Sequence, residues 1–145
     1  TVTGGEPLAQ PACLELLQKL CDQKYVVSLE TSGALDVSKV DPRVVKVLDV
    51  KTPGSLEVSK NLLSNFDYLL PQDQIKFVIC DKNDYEWSKK IMDQFKLAEK
   101  CEILFSPSYK QLSYHDLADW ILADQLPVRF QVQLHKVIWG DVPGK

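Results

Sequence analysis

The string Thr3-Gly4-Gly5-Glu6-Pro7 sets two adjacent glycines in front of a carboxylate. Neither glycine carries a Cβ, so the backbone there can turn sharply and approach a ligand closely. A glycine carbonyl and the Glu6 carboxylate are both acceptors suited to an ammonium group. Pro7 favours an extended Glu6 and ends the strand before it. Glu6 is then left at a strand's C-terminal tip, where α/β folds place their chemistry. A plain turn, with Glu6 as a helix N-terminal charge, is the ordinary use of the same residues. The stretch opens the chain without a preceding Met, and the expectation is of a protein whose front is missing.

Further chemistry-bearing residues lie on one face of each segment that reads as a strand. Ser28, Glu30 and Ser32 share a face opposite Val27 and Leu29, and Asp49 and Lys51 share one with Val45 and Val47. Lys76 falls opposite Ile75, Phe77 and Ile79, and Ser106 ends its strand. Arg129, Gln131, Gln133 and His135 alternate with Phe130, Val132 and Leu134. Strands covered by helices on both faces are apolar throughout, and these are not. Curling the sheet with helices outside gathers the polar groups into one concavity, suited to a polar zwitterionic or heterocyclic ligand. A solvated open cleft is the plainer use of the same faces.

Other chemistries find no support. No Ser–His–Asp or Cys–His order is evident, and no phosphate-binding loop is present. The four cysteines, at 13, 21, 80 and 101, form no C-x-x-C pair and read as buried thiols in a reducing compartment. His115 and His135 have no neighbour at metal-ligand spacing. Net charge is −3, which argues against a broad nucleic-acid surface, and no apolar run is long enough to span a bilayer.

The elements that must position these groups alternate in type. Strands are expected over 25–30, 44–51, 74–80, 102–105 and 129–135. A helix beginning at Pro11 carries Cys13, Leu16, Leu17, Leu20 and Cys21 on one face, and a short helix covers 57–64. Asn83 with Glu86 reads as a capping box ahead of a buried stripe of Trp87, Ile91 and Phe95. Ser113 with Asp116 opens the next helix, and a tail runs through Trp139 to Lys145. The pattern implies βαβ units and a mainly parallel sheet in one domain over 1–145.

The opening string resembles the glycine-glycine-glutamate motif of radical S-adenosylmethionine (SAM) enzymes. It is followed by Leu29-Glu30-Thr31-Ser32-Gly33, Leu48-Asp49-Val50-Lys51-Thr52-Pro53-Gly54-Ser55 and Gln74-Ile75-Lys76-Phe77-Val78-Ile79. Then come Phe105-Ser106-Pro107-Ser108 and Val128-Arg129-Phe130-Gln131-Val132-Gln133-Leu134-His135-Lys136. In this order, from Thr1 nearly to the end, the chain is similar to the 7-carboxy-7-deazaguanine synthase family of queuosine and deazapurine biosynthesis. The resemblance implies a partial (β/α) barrel, a radical SAM core lacking its first strand and cluster loop. It implies a carbon–nitrogen lyase that turns 6-carboxy-5,6,7,8-tetrahydropterin into 7-carboxy-7-deazaguanine with loss of ammonia. A 4Fe-4S cluster, SAM and Mg2+ are the implied cofactors. The cluster's three cysteines are expected upstream of this chain, with no metal ligand inside it, so that the fragment alone is inactive.

By the same resemblance Gly4, Gly5, Glu6, Asp49, Val50, Lys51 and Ser106 would contact SAM, and Thr3 would contact the substrate. Gln133 and His135 join Thr3 on facing alone, at the pterin's polar edge. An electron donor such as flavodoxin or ferredoxin, a cytoplasmic location and a homodimer complete the expectation, with no nucleic acid and no membrane as partners. The rival readings are another radical SAM enzyme, such as an activase, and a non-catalytic α/β ligand- or partner-binding module.

Overall fold

Strands β1 (Ser28–Thr31), β2 (Val45–Val50), β3 (Gln74–Ile79), β4 (Glu102–Pro107) and β5 (Arg129–Phe130) lie side by side in chain order, all parallel. This computed structural model describes residues 1–140 and Val142, and the end of the tail expected through Lys145 lies outside them. Right-handed crossovers between strands that are neighbours in sequence place every connection on the same face of the sheet. The result is a singly wound, open arc, the partial (β/α) barrel that the sequence implies. Val2 extends it by a parallel bridge to Leu29, exchanging bonds of 2.7 and 3.0 Å with Ser28 and Glu30.

The two faces differ as the alternation predicts. Leu48 and Val50 of β2 and Ile75, Phe77 and Ile79 of β3 are buried under the connections. Val45, Val47 and Asp49, with Gln74, Lys76 and Val78, are half-buried on the other side. Helices α1 (Cys13–Asp22), α2 (Lys82–Phe95), α3 (Leu97–Lys100) and α4 (Tyr114–Asp124) supply the covering layer. Cys13, Leu17 and Cys21 of α1 close on Val27, Leu29, Val37, Val40 and Val44. Around β3 and β4 the packing is aromatic, with Phe105 edge-on to Phe77 at 5.6 Å and to Tyr85 at 5.9 Å. Among the described residues no helix is long and apolar enough to cross a membrane.

Four local expectations are corrected. Helix α1 begins at Cys13, not at Pro11, and Leu16 is 47% exposed, off the buried face. Helix α2 is capped two residues earlier than Asn83: Asp81 is its N-cap and accepts from the Asp84 N–H at 2.9 Å. Its buried face is Tyr85, Ser88 and Met92, flanked by half-buried Trp87, Ile91 and Phe95. Tyr85 can go under because its one hydroxyl proton has two acceptors in reach, the Trp120 carbonyl at 2.8 Å and Asp124 Oδ2 at 2.9 Å. Residues 57–64 form separate 3-10 turns, Val58–Lys60 and Leu63–Tyr68, because Asn61 between them is extended. Its side chain clamps the Lys51 backbone from both sides, at 2.9 Å each way.

The fourth correction touches the site. The last strand stops at Phe130, and α5 (Leu134–Trp139) takes up Leu134 and His135. Gln131 makes one more bond, to the Phe105 carbonyl at 2.9 Å. Beyond Ser106 the neighbouring strand offers Pro107, which has no N–H to donate, so the ladder ends there. The strict alternation expected from Arg129 to His135 therefore does not extend past the strand.

Candidate active site

Gly4 and Gly5 both take positive φ, +100° and +58°, where an L-residue is strained. Nothing lies within 4 Å of where a Cβ would sit on either, so the turn faces open space that a ligand can enter. Glu6 follows in extended conformation and turns its side chain back toward the end of β1. One carboxylate oxygen accepts from the Leu8 N–H at 3.1 Å and the Thr31 hydroxyl at 2.9 Å. The other accepts from the Ser32 N–H at 2.8 Å and the Ser32 hydroxyl. Burial pushes the Glu6 pKa up, but the bonds from Ser32, Thr31 and Leu8 outweigh it and hold the carboxyl below its ordinary range. In the sequence Thr31 reads only as part of a strand end and Ser32 as one more polar residue on the Glu30 face; two adjacent hydroxyls at a strand end were the available signal that they hold a carboxylate.

Beside the turn, a cavity of about 140 Å³ is walled by Thr3, Gly5, Asp49, Lys51, Glu30 and Lys76, among others. The Lys51 ammonium donates to Asp49 Oδ2 at 2.8 Å, while Asp49 Oδ1 is buried with no partner among the described residues. That oxygen is an acceptor left for a guest. Val50 lies on the opposite, buried face of β2, so only its backbone is near this cavity. Gly4 borders a separate apolar groove with Pro7, Cys13 and Leu16.

A second cavity, of about 290 Å³, shares Glu30 and Lys76 with the first and adds Ser106, Gln131, Gln133 and His135. The structure thus brings Gln133 and His135 to the polar face although they leave the strand. It also places Ser106 with them rather than beside Gly5 and Lys51. Ser106 is fully buried, and its hydroxyl, like Gln131 Oε1, has no hydrogen-bond partner among the described residues.

The buried polar groups on the other face hold the fold together. Lys46 and Asp73, 2% and 0% exposed, form an ion pair at 2.7 Å. Asp84 accepts from Thr52 Oγ1 at 2.9 Å, the Gly54 N–H at 2.7 Å and the Cys80 N–H at 3.0 Å, fixing the loop after β2. Neither network is visible in local sequence pattern. Among the described residues no group of three His, Cys, Asp or Glu side chains comes together to hold a metal.

No established family profile matches the chain. It is 45% identical over 142 residues to a 7-carboxy-7-deazaguanine synthase of Chlorobaculum tepidum, covering 96% of this chain and 64% of that protein. Synthases of the same name from Koribacter versatilis and Thermoplasma acidophilum are 40% and 33% identical, with 67% and 68% of their lengths covered. The chain spans about two thirds of the length of the curated relatives it matches. With matches that run through the glycine turn, both cavities and nearly the whole chain, it belongs to the 7-carboxy-7-deazaguanine synthase family.

Proposed function

We propose that this chain is the SAM- and substrate-binding part of a cytoplasmic radical SAM carbon–nitrogen lyase, which converts 6-carboxy-5,6,7,8-tetrahydropterin to 7-carboxy-7-deazaguanine and ammonia on the route to queuosine. The observation that carries the reading is the pair of adjoining polar cavities, one holding Gly5, Asp49 and Lys51 and the other Gln133 and His135, with Glu30 and Lys76 common to both. Two ligands that must react with each other need adjacent sites with a shared wall.

The methionyl end of SAM fits the first cavity by the chemistry of its lining. The Gly5 carbonyl and Asp49 Oδ1 accept from its amino group, and Lys51 meets its acidic end, with Gly4 shaping the turn from the groove alongside. Glu6, with its acceptor positions filled by Leu8, Thr31 and Ser32, holds the turn in place and lends it negative charge. The pterin occupies the second cavity, with Thr3 at the boundary and Gln133 and His135 on its polar edge. A 4Fe-4S cluster would supply the electron for radical chemistry on SAM, and Mg2+ would add Lewis-acid assistance. The described residues of this chain bring no three His, Cys, Asp or Glu side chains together and do not fit the cluster. A flavodoxin or ferredoxin would be the electron donor, and the enzyme would work as a homodimer.

The test is turnover by the full-length protein, reconstituted anaerobically and given SAM, a reductant and 6-carboxytetrahydropterin. Mass spectrometry should find 7-carboxy-7-deazaguanine with one ammonia released per turnover. SAM cleavage without a deazapurine would overturn the substrate assignment in favour of another radical SAM activity.

A further inference from the structure

Lys76 stands at the centre of the polar face, in register with Asp49 on one side and Leu104 on the other. Asp49 would be its natural counter-ion, but Asp49 is taken by Lys51 at 2.8 Å. Among the described residues Lys76 forms no ion pair, although it is half-buried and lines both cavities. A half-buried ammonium without a partner gives up hydration for nothing in return unless a ligand completes it.

Ser106 is one step along the neighbouring strand. Its register partner is Val78, two residues on from Lys76, so the two side chains are diagonal neighbours on one face. Its hydroxyl is 0% exposed and unpartnered, and Gln131 Oε1, in the same cavity, is unpartnered too. Buried polar atoms of folded proteins nearly always have partners, and two orphans facing one cavity beside an unpaired ammonium are a site built for something. An ammonium and a hydroxyl together donate to a carboxylate, while the amide oxygen accepts from an N–H. Glu30 adds a second acceptor, so the guest carries donors as well as its acidic group.

We propose that Lys76 and Ser106 bind the carboxylate of the ligand held by Gln133 and His135, with Gln131 Oε1 accepting from a ring N–H of the same molecule. The assignment rests on the pterin reading above, in which that carboxylate is the one on the substrate's reduced ring. Lys76 is then a specificity residue: it separates a carboxypterin from an otherwise identical pterin without the acid.

The full-length protein is titrated anaerobically with 6-carboxytetrahydropterin, with unsubstituted tetrahydropterin and with SAM. K76M should weaken carboxypterin binding roughly tenfold to a hundredfold, the range of one charge-assisted hydrogen bond. It should leave the unsubstituted pterin and SAM unchanged, and K76R should recover part of the loss. S106A should weaken the carboxypterin by a few-fold, roughly one neutral hydrogen bond, without lowering the melting temperature, because the hydroxyl bonds to nothing in the free protein. Equal loss for both pterins in K76M, or a loss of SAM affinity instead, overturns the Lys76 assignment and leaves the pterin reading standing. Failure of the unmodified protein to bind either pterin overturns the pterin reading itself, and this occupant with it.

Discussion

Ser32 donates its backbone N–H, at 2.8 Å, and its hydroxyl to a single oxygen of Glu6, which lies 26 residues before it. The contact ties the glycine turn to the end of β1 and makes the turn's geometry depend on a charge. The glycines bring no side chain to hold the turn, and nothing lies within 4 Å of where one would begin. The carboxylate does it for them.

A pH dependence follows. Glu6 is held below its ordinary value of 4.5 in the folded chain, so the unfolded chain binds more protons as pH falls toward that range. Its contribution to stability is complete above the unfolded pKa and is lost as pH drops through the folded one. Glu6→Gln should lower the melting temperature at neutral pH, and the gap to the unmodified protein should narrow as the buffer is taken down through and below the ordinary carboxylate range. Thermal melts across that range check it; a gap independent of pH would mean the charge is not what holds the turn.

Gly54 should be intolerant of a side chain for steric reasons alone. A Cβ there would lie 2.6 Å from Asp84 Oδ2 and 3.0 Å from Cys80 Cβ, and Asp84 cannot yield without dropping its three donors. Gly54→Ala is expected to cost about 2–4 kcal/mol, overpacking combined with a strained buried carboxylate. Gly33→Ala, at a positive φ but in open space, should cost only about 1 kcal/mol. Urea denaturation of the two variants gives the comparison, and equal losses would show that Asp84 moves freely.

The Lys46–Asp73 pair should be worth keeping whole. Asp73 also accepts from the Lys46 N–H at 2.7 Å and the Leu70 N–H at 2.8 Å. Lys46→Met leaves a fully buried carboxylate short of its cation, a loss of about 3–5 kcal/mol. Asp73→Ala strands the ammonium and two backbone N–H groups together and should cost at least as much. Chemical denaturation orders the two, and a milder effect for Asp73→Ala would contradict the accounting.

These contacts mark the limit of what local pattern conveys. The strand over 74–80 and its polar Lys76 are legible because a period of two is written in consecutive residues, and the cavity walls follow from it. Lys46 is not, because what lets a lysine sit under the sheet is an aspartate 27 residues away on a turn. The end of β5 is likewise decided elsewhere, by Pro107 of the neighbouring strand, so the alternation through His135 looked longer in sequence than the ladder that supports it. Gln133 and His135 still reach the cavity, by way of a turn into α5 rather than along a strand.

The cysteines give the last prediction. Cluster iron needs accessible thiolates, and burial works against the thiolate. Cys101 sits in the aromatic-rich core, its thiol pushed up to about 11 by burial, with the Asp73 charge adding to it. Cys13 is raised by burial and then by Glu6, and it packs with Cys21 against the first strands, in a different core cluster from Cys101. Cys80, half-buried, is raised by burial and by the neighbouring Asp84. This chain, taken through anaerobic reconstitution with iron and sulfide and then desalted, should therefore keep no iron at cluster stoichiometry. The full-length protein should keep it, and Cys80→Ala or Cys101→Ala should not change its iron content. Iron and sulfide analysis with the visible absorption spectrum reads all three. Cluster-level iron on the chain alone, lost on changing either cysteine, would make these thiols ligands and move the metal centre into this part of the fold.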